Sequence, residues 1–286
     1  MNTHTCHRTV EVNGRKIFYR EAGDRKSPTI LLLHGLPTSS RMYRDLMPAL
    51  ADRFHLIAPD YIGFGHSDAP RRLEFEYTFD NLTAHVSGLI DALELDSYIL
   101  YLQDYGGPIG FRLFTQRPER VNGFVIQNAN AYMEGVGDAP KKLLLPLWAK
   151  RTPETEKPAR DFLSLEGTRY QWLVGAKHPE AINPDNWVLD QALLDRPGVQ
   201  DYQVDLLEDY KSNIGLYATW QQAFRDHAPK TLIVWGKNDP FFIPPGARAY
   251  LGDLPHAKLV WLDAGHFVLD ENATQVAAEI KSVFIA

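Results

Sequence analysis

A series of short apolar runs constrains the fold of this chain more than any other feature. Five of them begin at positions 29, 55, 97, 121 and 231 and read TILLLHG, HLIAPD, SYILYL, VNGFVIQN and TLIVWG. Because polar residues do not alternate within the runs, each strand has to be covered on both faces, as in a parallel sheet. Stretches with helical spacing separate the runs, for example Asp80–Leu93 and Gly106–Arg117. The pattern predicts an α/β fold with a mostly parallel sheet flanked by helices.

The alternation of strands and helices is interrupted once. Residues 131–227 are rich in Trp, Tyr, Pro and charged side chains, and their apolar residues follow a helical rather than a strand-like spacing. Strand-like segments return with TLIVWG. We therefore expect a core built from residues 1–130 and 228–286, into which residues 131–227 are inserted as a helical lid.

Composition narrows the class of protein. The 286 residues are 44% apolar, which is enough for one large domain or for a core with an inserted subdomain. The net charge is −6, and Lys and Arg are spread along the chain, so neither nucleic acid nor an anionic membrane is the expected partner. No segment resembles a signal peptide or a membrane-spanning helix. The single cysteine, Cys6, fits a reducing compartment, and the cytoplasm is the expected location.

The segment LYLQDYGGPIGF, Leu100–Phe111, predicts a strand that ends in a sharp turn and leads directly into a helix. Asp104 occupies the turn. Gly106 and Gly107 follow it, where a Cβ would hold the helix away from the strand. An isolated Asp at this point is better explained by a helix N-cap than by a catalytic role.

Two more polar residues follow predicted strands, Asp239 in GKNDP and His266 in DAGHF. Taken alone, Asp239 is explained by a turn before Pro240 and His266 by local hydrogen bonds in a loop. Ligands of doubly wound sheets bind at the carboxyl ends of the strands, so both residues are expected to lie near Asp104. The chain order is then a nucleophile, an acid and a histidine.

These residues belong to five motifs through which the chain resembles the α/β-hydrolase superfamily, in the branch of epoxide hydrolases and haloalkane dehalogenases. The motifs are HGLP at 34–37, DYIGFGHS at 60–67, QDYGG at 103–107, WGKND at 235–239 and GHF at 265–267. They occur in the order of the family and lie on both sides of the expected lid. The resemblance implies the α/β-hydrolase fold and an aspartate nucleophile in place of the more common serine.

The resemblance implies a role for each site residue. Asp104 forms an ester with an sp³ carbon, which suits an epoxide or an alkyl halide, whereas attack on an ordinary ester would give an anhydride. His266 takes a proton from water, and Asp239 orients its imidazole. The backbone N–H groups of Leu36 and Tyr105 form the oxyanion hole.

The leaving group separates the two branches. Halide release needs two hydrogen-bond donors around the anion. Tyr105 stands where dehalogenases usually have Trp, and Leu36 stands where many have Asn or Glu, so both expected donors are missing. Trp148 in the lid could supply one N–H. Leu102, in contrast, resembles dehalogenases more than epoxide hydrolases. Epoxide opening needs a lid acid, for which Tyr210 and Tyr217 compete. Because a missing halide donor affects the transition state directly, we place epoxide hydrolysis first and dehalogenation second.

The expected ligand is a small, uncharged, apolar substrate that reacts with water. Four lid tryptophans are expected to line an apolar pocket above Asp104: Trp148, Trp172, Trp187 and Trp220. The chemistry requires no cofactor, and no zinc motif is present. Ser67, in GHSDA, lacks the following helix of a serine nucleophile and is assigned to a structural loop. A non-catalytic small-ligand receptor on the same fold is the alternative from another class.

Overall fold

The computed structural model describes residues 4–285 of the chain. Within this range one sheet contains eight strands, in the spatial order β1-β2-β4-β3-β5-β6-β7-β8. The strands are β1 Cys6–Val12, β2 Arg15–Ala22, β3 Thr29–Leu33, β4 His55–Pro59, β5 Tyr98–Gln103, β6 Val121–Gln127, β7 Thr231–Gly236 and β8 Lys258–Leu262. From β4 to β8 all pairings are parallel, and β1 and β2 form the antiparallel edge.

Helices cover both faces of this sheet. They are α1 Leu46–Leu50, α2 Phe79–Ala92, α3 Gly106–Gln116, α4 Asp138–Ala149, α5 Pro153–Phe162, α6 Leu165–Leu173, α7 Asp185–Leu194, α8 Val199–His227, α9 Pro244–Asp253 and α10 Leu269–Phe284. Short 3₁₀ helices occupy Ser40–Tyr43, Pro118–Arg120, Met133–Gly135 and Pro179–Ala181. The predicted α/β-hydrolase fold, with its mostly parallel sheet between helices, is confirmed.

The apolar runs form buried strands because their side chains serve two separate cores. In β3, Leu31 and Leu33 point to the cluster that contains α2 and α3, while Ile30 and Leu32 point to the cluster that contains α1 and α10. All four side chains are fully buried. Successive side chains of a strand face opposite sides, so a strand covered on both sides has no position left for polar alternation.

The helices α4 to α8 occupy the chain between β6 and β7, two strands that pair directly, Phe124 with Thr231. The chain therefore leaves the sheet after β6 and returns beside the same strand. The long helix α8 packs against α2 and α3 of the core, and Asp209 on α8 accepts the backbone N–H of Phe79 at 2.8 Å. That residues 131–227 act as a separate cap domain stays a proposal, which this arrangement supports.

None of the helices within residues 4–285 combines the length and the apolar character that crossing a membrane requires. The same range contains no group of three or more His, Cys, Asp or Glu side chains placed to hold a metal ion.

Candidate active site

The turn between β5 and α3 packs closely against the end of β3 and the loop that follows it. Asp104 has a φ of +50°, in the left-handed region that a non-glycine residue rarely adopts. A Cβ on Gly106 would lie 2.0 Å from the carbonyl oxygen of Leu33, and a Cβ on Gly35 would lie 2.2 Å from the Cβ of Asp104. Glycine at 35 and 106 thus allows the turn to press against the end of β3, which fixes the position of the Asp104 carboxylate.

The structure brings Asp104, Asp239 and His266 together at the carboxyl edge of the sheet. Nδ1 of His266 lies 2.7 Å from Oδ2 of Asp239, and Nε2 of His266 lies 3.8 Å from Oδ2 of Asp104. All three side chains are buried. The other oxygen of Asp239 accepts the backbone N–H groups of Phe241 and Phe242. Since an ionised carboxylate only accepts, Nδ1 of His266 is the donor, and the lone pair of a neutral imidazole is on Nε2.

The two oxygens of the Asp104 carboxylate have different surroundings. Oδ1 accepts the backbone N–H of Leu36 at 2.8 Å, and the backbone N–H of Tyr105 also bonds to this carboxylate. Oδ2 faces His266. Both N–H groups expected to form the oxyanion hole therefore interact with this carboxylate, that of Leu36 at Oδ1, while Oδ2 lies on the side of His266.

Burial and charge set the protonation of the site. Burial raises the pKa of Asp104, although His266 and the N–H donors of Leu36 and Tyr105 act in the opposite direction. Burial disfavours a charged imidazole at position 266, but the charge and hydrogen bond of Asp239, with the charge of Asp104, outweigh this effect and raise the pKa of His266. Burial lowers the pKa of His34 to about 4, so that residue is neutral; it is bonded to the carbonyl of Gly35 and has a structural role.

Two residues that sequence analysis did not identify complete the site. Asn128, directly after β6, donates to Oδ2 of Asp239 at 2.8 Å, and its carbonyl accepts the N–H of Asp104. Gln103, the last residue of β5, places its amide nitrogen 2.8 Å from Nε2 of His266. Both are fully buried polar residues at strand ends. The one feature that the sequence offers for them is a polar residue at the end of an otherwise apolar strand, and that feature alone does not give a role.

An apolar chamber opens above Asp104. Its polar lining residues are Asp104, His266, Tyr105, Tyr210 and Gln171, and its other walls are apolar: Leu36, Val136, Pro140, Leu144, Phe162, Leu207, Phe241 and Phe242. The chamber encloses about 60 Å³ and adjoins a groove of about 140 Å³ with which it shares several walls. Apart from Asp104 and His266 the lining carries no charge, which fits an uncharged substrate.

The two candidate lid tyrosines occupy different positions. Tyr210 lines the chamber, whereas Tyr217 does not line it and interacts with Tyr210. The buried hydroxyl of Tyr210 makes no hydrogen bond of good geometry within residues 4–285, and the side chain of Tyr217 is the neighbour that interacts with it. Burial, then Tyr217 and Asp104, raise the pKa of Tyr210 well above its ordinary value, so this phenol keeps its proton at neutral pH.

The structure corrects the expected positions of the lid tryptophans, because none of the four lines the chamber. Trp148 stacks on Tyr210 and donates its indole N–H to the carbonyl of Leu207 at 2.9 Å, so that donor is not free for a halide. Trp172 donates to Asp190, while Trp187 and Trp220 belong to the packed cores. On a helix, the face that a ring takes depends on tertiary packing that spacing alone does not give.

Ser67 is part of the scaffold. Its hydroxyl donates to the carbonyl of Asp60 at 2.7 Å and accepts the backbone N–H of Phe18 at 2.9 Å. The pocket that contains Asp104 does not include it.

A family model described as the alpha/beta hydrolase fold matches residues 28–273. The chain therefore belongs to the α/β-hydrolase family, and it is a hydrolase. The resemblance to the dehalogenase and epoxide hydrolase branch is confirmed by relatives that are haloalkane dehalogenases. Haloalkane dehalogenase 2 of Mycobacterium bovis is 43% identical over 113 residues, which cover 40% of this chain and 38% of that protein.

Two relatives align over nearly the whole chain. Uncharacterized hydrolase YNR064C of Saccharomyces cerevisiae is 40% identical and covers 97% of this chain and 96% of its own length. Cis-3-alkyl-4-alkyloxetan-2-one decarboxylase of Shewanella oneidensis is 30% identical over 94% of this chain and 85% of that protein. Among solved structures, haloalkane dehalogenase DbeA from Bradyrhizobium elkani superposes with a TM-score of 0.81 at 23% identity, covering 98% of this chain and 99% of that one, and this likeness concerns the fold.

Proposed function

We propose that this protein hydrolyses a small apolar epoxide through an ester on Asp104. One observation carries the proposal: the buried phenol of Tyr210 lines the same chamber as the Asp104 carboxylate, whose Oδ1 accepts the backbone N–H of Leu36. A nucleophile and a proton donor on one apolar chamber are what the opening of a strained C–O bond requires.

In the first step, Oδ2 of Asp104 attacks a ring carbon and the C–O bond of the epoxide breaks. The ring oxygen takes the proton of Tyr210, so the products are an ester and a tyrosinate. A phenol suits this task because an alkoxide is a much stronger base than a phenolate, even one whose pKa is raised.

In the second step, water gives a proton to Nε2 of His266 while its oxygen adds to Cγ of Asp104. The negative charge develops on Oδ1, where the N–H groups of Leu36 and Tyr105 stabilise it. The Cγ–Oδ2 bond then breaks, and the diol leaves with Oδ2 and the proton of His266. The carboxyl group formed on Asp104 returns its proton to Tyr210 through solvent, so the net reaction consumes one water per epoxide.

Dehalogenation is the second candidate, favoured by the identity with haloalkane dehalogenases in part of the chain. It would use the same ester but would need donors for the halide. The indole N–H groups of Trp148 and Trp172 are already bonded, and position 105 is a tyrosine. These contacts favour the epoxide. The oxetanone named for one full-length relative is a third strained-ring electrophile that the same nucleophile could meet.

A substrate panel tests the proposal. Purified enzyme is offered epoxides, haloalkanes and β-lactones, with diol, halide and acid release measured separately. We expect diol formation that is abolished in Asp104→Ala. Halide release without diol would make the enzyme a dehalogenase, and tight binding of apolar ligands without turnover would make it a receptor.

The Tyr210→Phe variant tests the acid. Loss of the proton donor is expected to lower kcat/KM for an epoxide by roughly 100-fold, because general acid catalysis contributes about that factor or more. Ester formation from a haloalkane transfers no proton, so any haloalkane turnover is expected to fall less than epoxide turnover. Tyr217→Phe is the matched control and is expected to have a smaller effect, since Tyr217 does not line the chamber. Equal epoxide rates in wild type and Tyr210→Phe would remove this residue from the mechanism.

A further inference from the structure

Gln103 has a bonding pattern that structural packing does not account for. Its side chain is fully buried. Its amide nitrogen lies 2.8 Å from Nε2 of His266, but its oxygen Oε1 is buried and accepts no hydrogen bond from the part of the chain that the structure describes. A buried acceptor without a donor costs about 1–3 kcal/mol, so such an atom calls for a partner that protein atoms do not supply.

The contact with His266 has a defined direction. Nδ1 of His266 donates to Asp239, so Nε2 of the neutral ring is an acceptor and the Gln103 amide is the donor. In the resting enzyme, Gln103 therefore occupies the lone pair that has to receive a proton from water.

The unpaired oxygen lies on the side of the nucleophile. A Cβ placed on Gly35 would lie 2.6 Å from Oε1 of Gln103 and 2.4 Å from Oδ1 of Asp104, so these two oxygens flank the same point. The Gln103 amide thus reaches from the base nitrogen of His266 to the immediate surroundings of the Asp104 carboxylate.

We propose that Gln103 is the positioning residue for the water of the second step, an assignment that rests on the proposed ester mechanism. Once Asp104 is esterified, water replaces the amide N–H at Nε2 of His266 and donates its second hydrogen to Oε1 of Gln103. Rotation about the last side-chain bond, a soft torsion, brings Oε1 to this water. Water then transfers one proton to Nε2 as its oxygen adds to Cγ of Asp104, and the Cγ–Oδ2 bond breaks.

Leu36 and Gln171, which also line the chamber, are less suited than Gln103 to hold the water. Leu36 closes the chamber beside Asp104 with an apolar side chain that cannot bind water. Gln171 also lines the chamber, but its amide nitrogen is engaged by the carbonyl of Phe162 at 2.9 Å. Gln103 is therefore the amide that contacts Nε2 of His266 and places an unpaired oxygen near the Asp104 carboxylate.

The test separates the two chemical steps in Gln103→Met, which keeps the side-chain length and removes both hydrogen-bonding groups. Ester formation and ester decay are followed by rapid quench and intact mass. We expect ester formation near the wild-type rate and ester decay slowed by about 10- to 100-fold, the effect of one lost hydrogen bond to a reacting group. The alkyl-enzyme is then expected to accumulate in the steady state.

Gln127→Met is the matched control. Gln127 ends the neighbouring strand β6, is equally buried, and bonds to the hydroxyl of Tyr101 and the backbone carbonyl of His266 rather than to its ring. It is expected to leave the ratio of the two rates unchanged. Decay in Gln103→Met within twofold of wild type, or an equal loss in both steps, would overturn the proposal. No adduct in any enzyme form, including His266→Gln, would instead overturn the ester mechanism itself.

A second readout is the titration of His266, whose facing charged groups are Asp239 and Asp104. A donor on Nε2 favours the neutral ring, so its loss in Gln103→Met is expected to raise the pKa of His266, and Gln127→Met is expected not to. The wild type alone gives a test that does not depend on folding of a variant. ¹⁵N NMR is expected to show the neutral His266 ring protonated on Nδ1 with Nε2 hydrogen-bonded, and a proton on Nε2 would contradict the assignment.

Discussion

At the residue scale, the central feature is the asymmetry of one carboxylate. Oδ1 of Asp104 accepts the backbone N–H of Leu36, and Oδ2 faces His266 at 3.8 Å. The same donors that hold the resting anion can stabilise the oxyanion of ester hydrolysis without rearrangement. In the proposed mechanism His266 has no part in forming the ester, since its base nitrogen acts only on water.

This division of roles gives a prediction for His266→Gln. The variant is expected to form the Asp104 ester but to hydrolyse it at least about 100-fold more slowly, because general base catalysis contributes about that factor. Intact mass after incubation with a substrate that the wild type turns over measures the adduct. A variant that loses activity without gaining the mass of the alkyl group would contradict the two-step scheme.

That Asp104, Asp239 and His266 lie together was predictable because each stands in a short motif at a strand end, and their proposed roles come from the resemblance. The supporting residues were not. Asn128 and Gln103 act through contacts between neighbouring strands and loops, and those contacts depend on register and on rotamers that one sequence does not specify. The position of Trp148 was also predicted wrongly, because it depends on packing between lid helices. Its indole N–H donates to a backbone carbonyl of α8 instead of facing the chamber.

At the scale of elements, the strands were the most predictable part of the molecule. A run such as TILLL requires burial on both faces of the sheet, and in the structure its side chains pack into two separate cores. Helix bounds were close, with α2 at Phe79–Ala92 against the expected Asp80–Leu93. The paths of the lid helices were less predictable, because α5 to α7 are short and are fixed by contacts with one another and with α8.

The turn between β5 and α3 gives a prediction at the scale of elements. In Gly106→Ala, the new Cβ would meet the backbone oxygen of Leu33 at 2.0 Å, so the variant is expected to lose about 3 kcal/mol of unfolding free energy. Gly215→Ala, in the exposed middle of α8 with no atom within 4 Å of its Cβ, is the control and is expected to gain about 0.5–1 kcal/mol. Urea denaturation measures both. Similar free energies of unfolding for Gly106→Ala and Gly215→Ala would show that the turn can widen to accept a Cβ.

At the scale of the whole molecule, the lid joins the core through buried polar contacts as well as apolar ones. Asp190 on α7 bonds to the side chain of Thr38 in the core. It also accepts the indole N–H of Trp172, a lid residue that stacks on Phe267 of the core beside His266. Burial raises the pKa of Asp190 to about 7, with Trp172 and Arg41 acting against this shift. Titration of this one carboxyl group therefore couples lid attachment to pH.

The sign of this coupling follows from the direction of the shift. The folded protein holds a proton on Asp190 up to about pH 7, whereas the unfolded chain releases it near pH 4, so folding is penalised increasingly as pH rises between these values. Asp190→Asn keeps the acceptor for Trp172 and removes the titration. The variant is expected to gain roughly 2 kcal/mol more over wild type at pH 8 than at pH 5. A gain that is equal at both pH values in urea denaturation would show that Asp190 does not titrate in this range.

The ester on Asp104 is tested most directly by one turnover with enzyme in excess in H₂¹⁸O. Because water attacks Cγ of Asp104, the first diol is predicted to carry an unlabelled oxygen from the carboxylate, and the heavy oxygen is predicted in the peptide that contains Asp104. Mass spectrometry of the diol and of the digested protein measures both. Heavy oxygen in the first diol, with none in the protein, would show that water attacks the substrate directly and that the ester does not form.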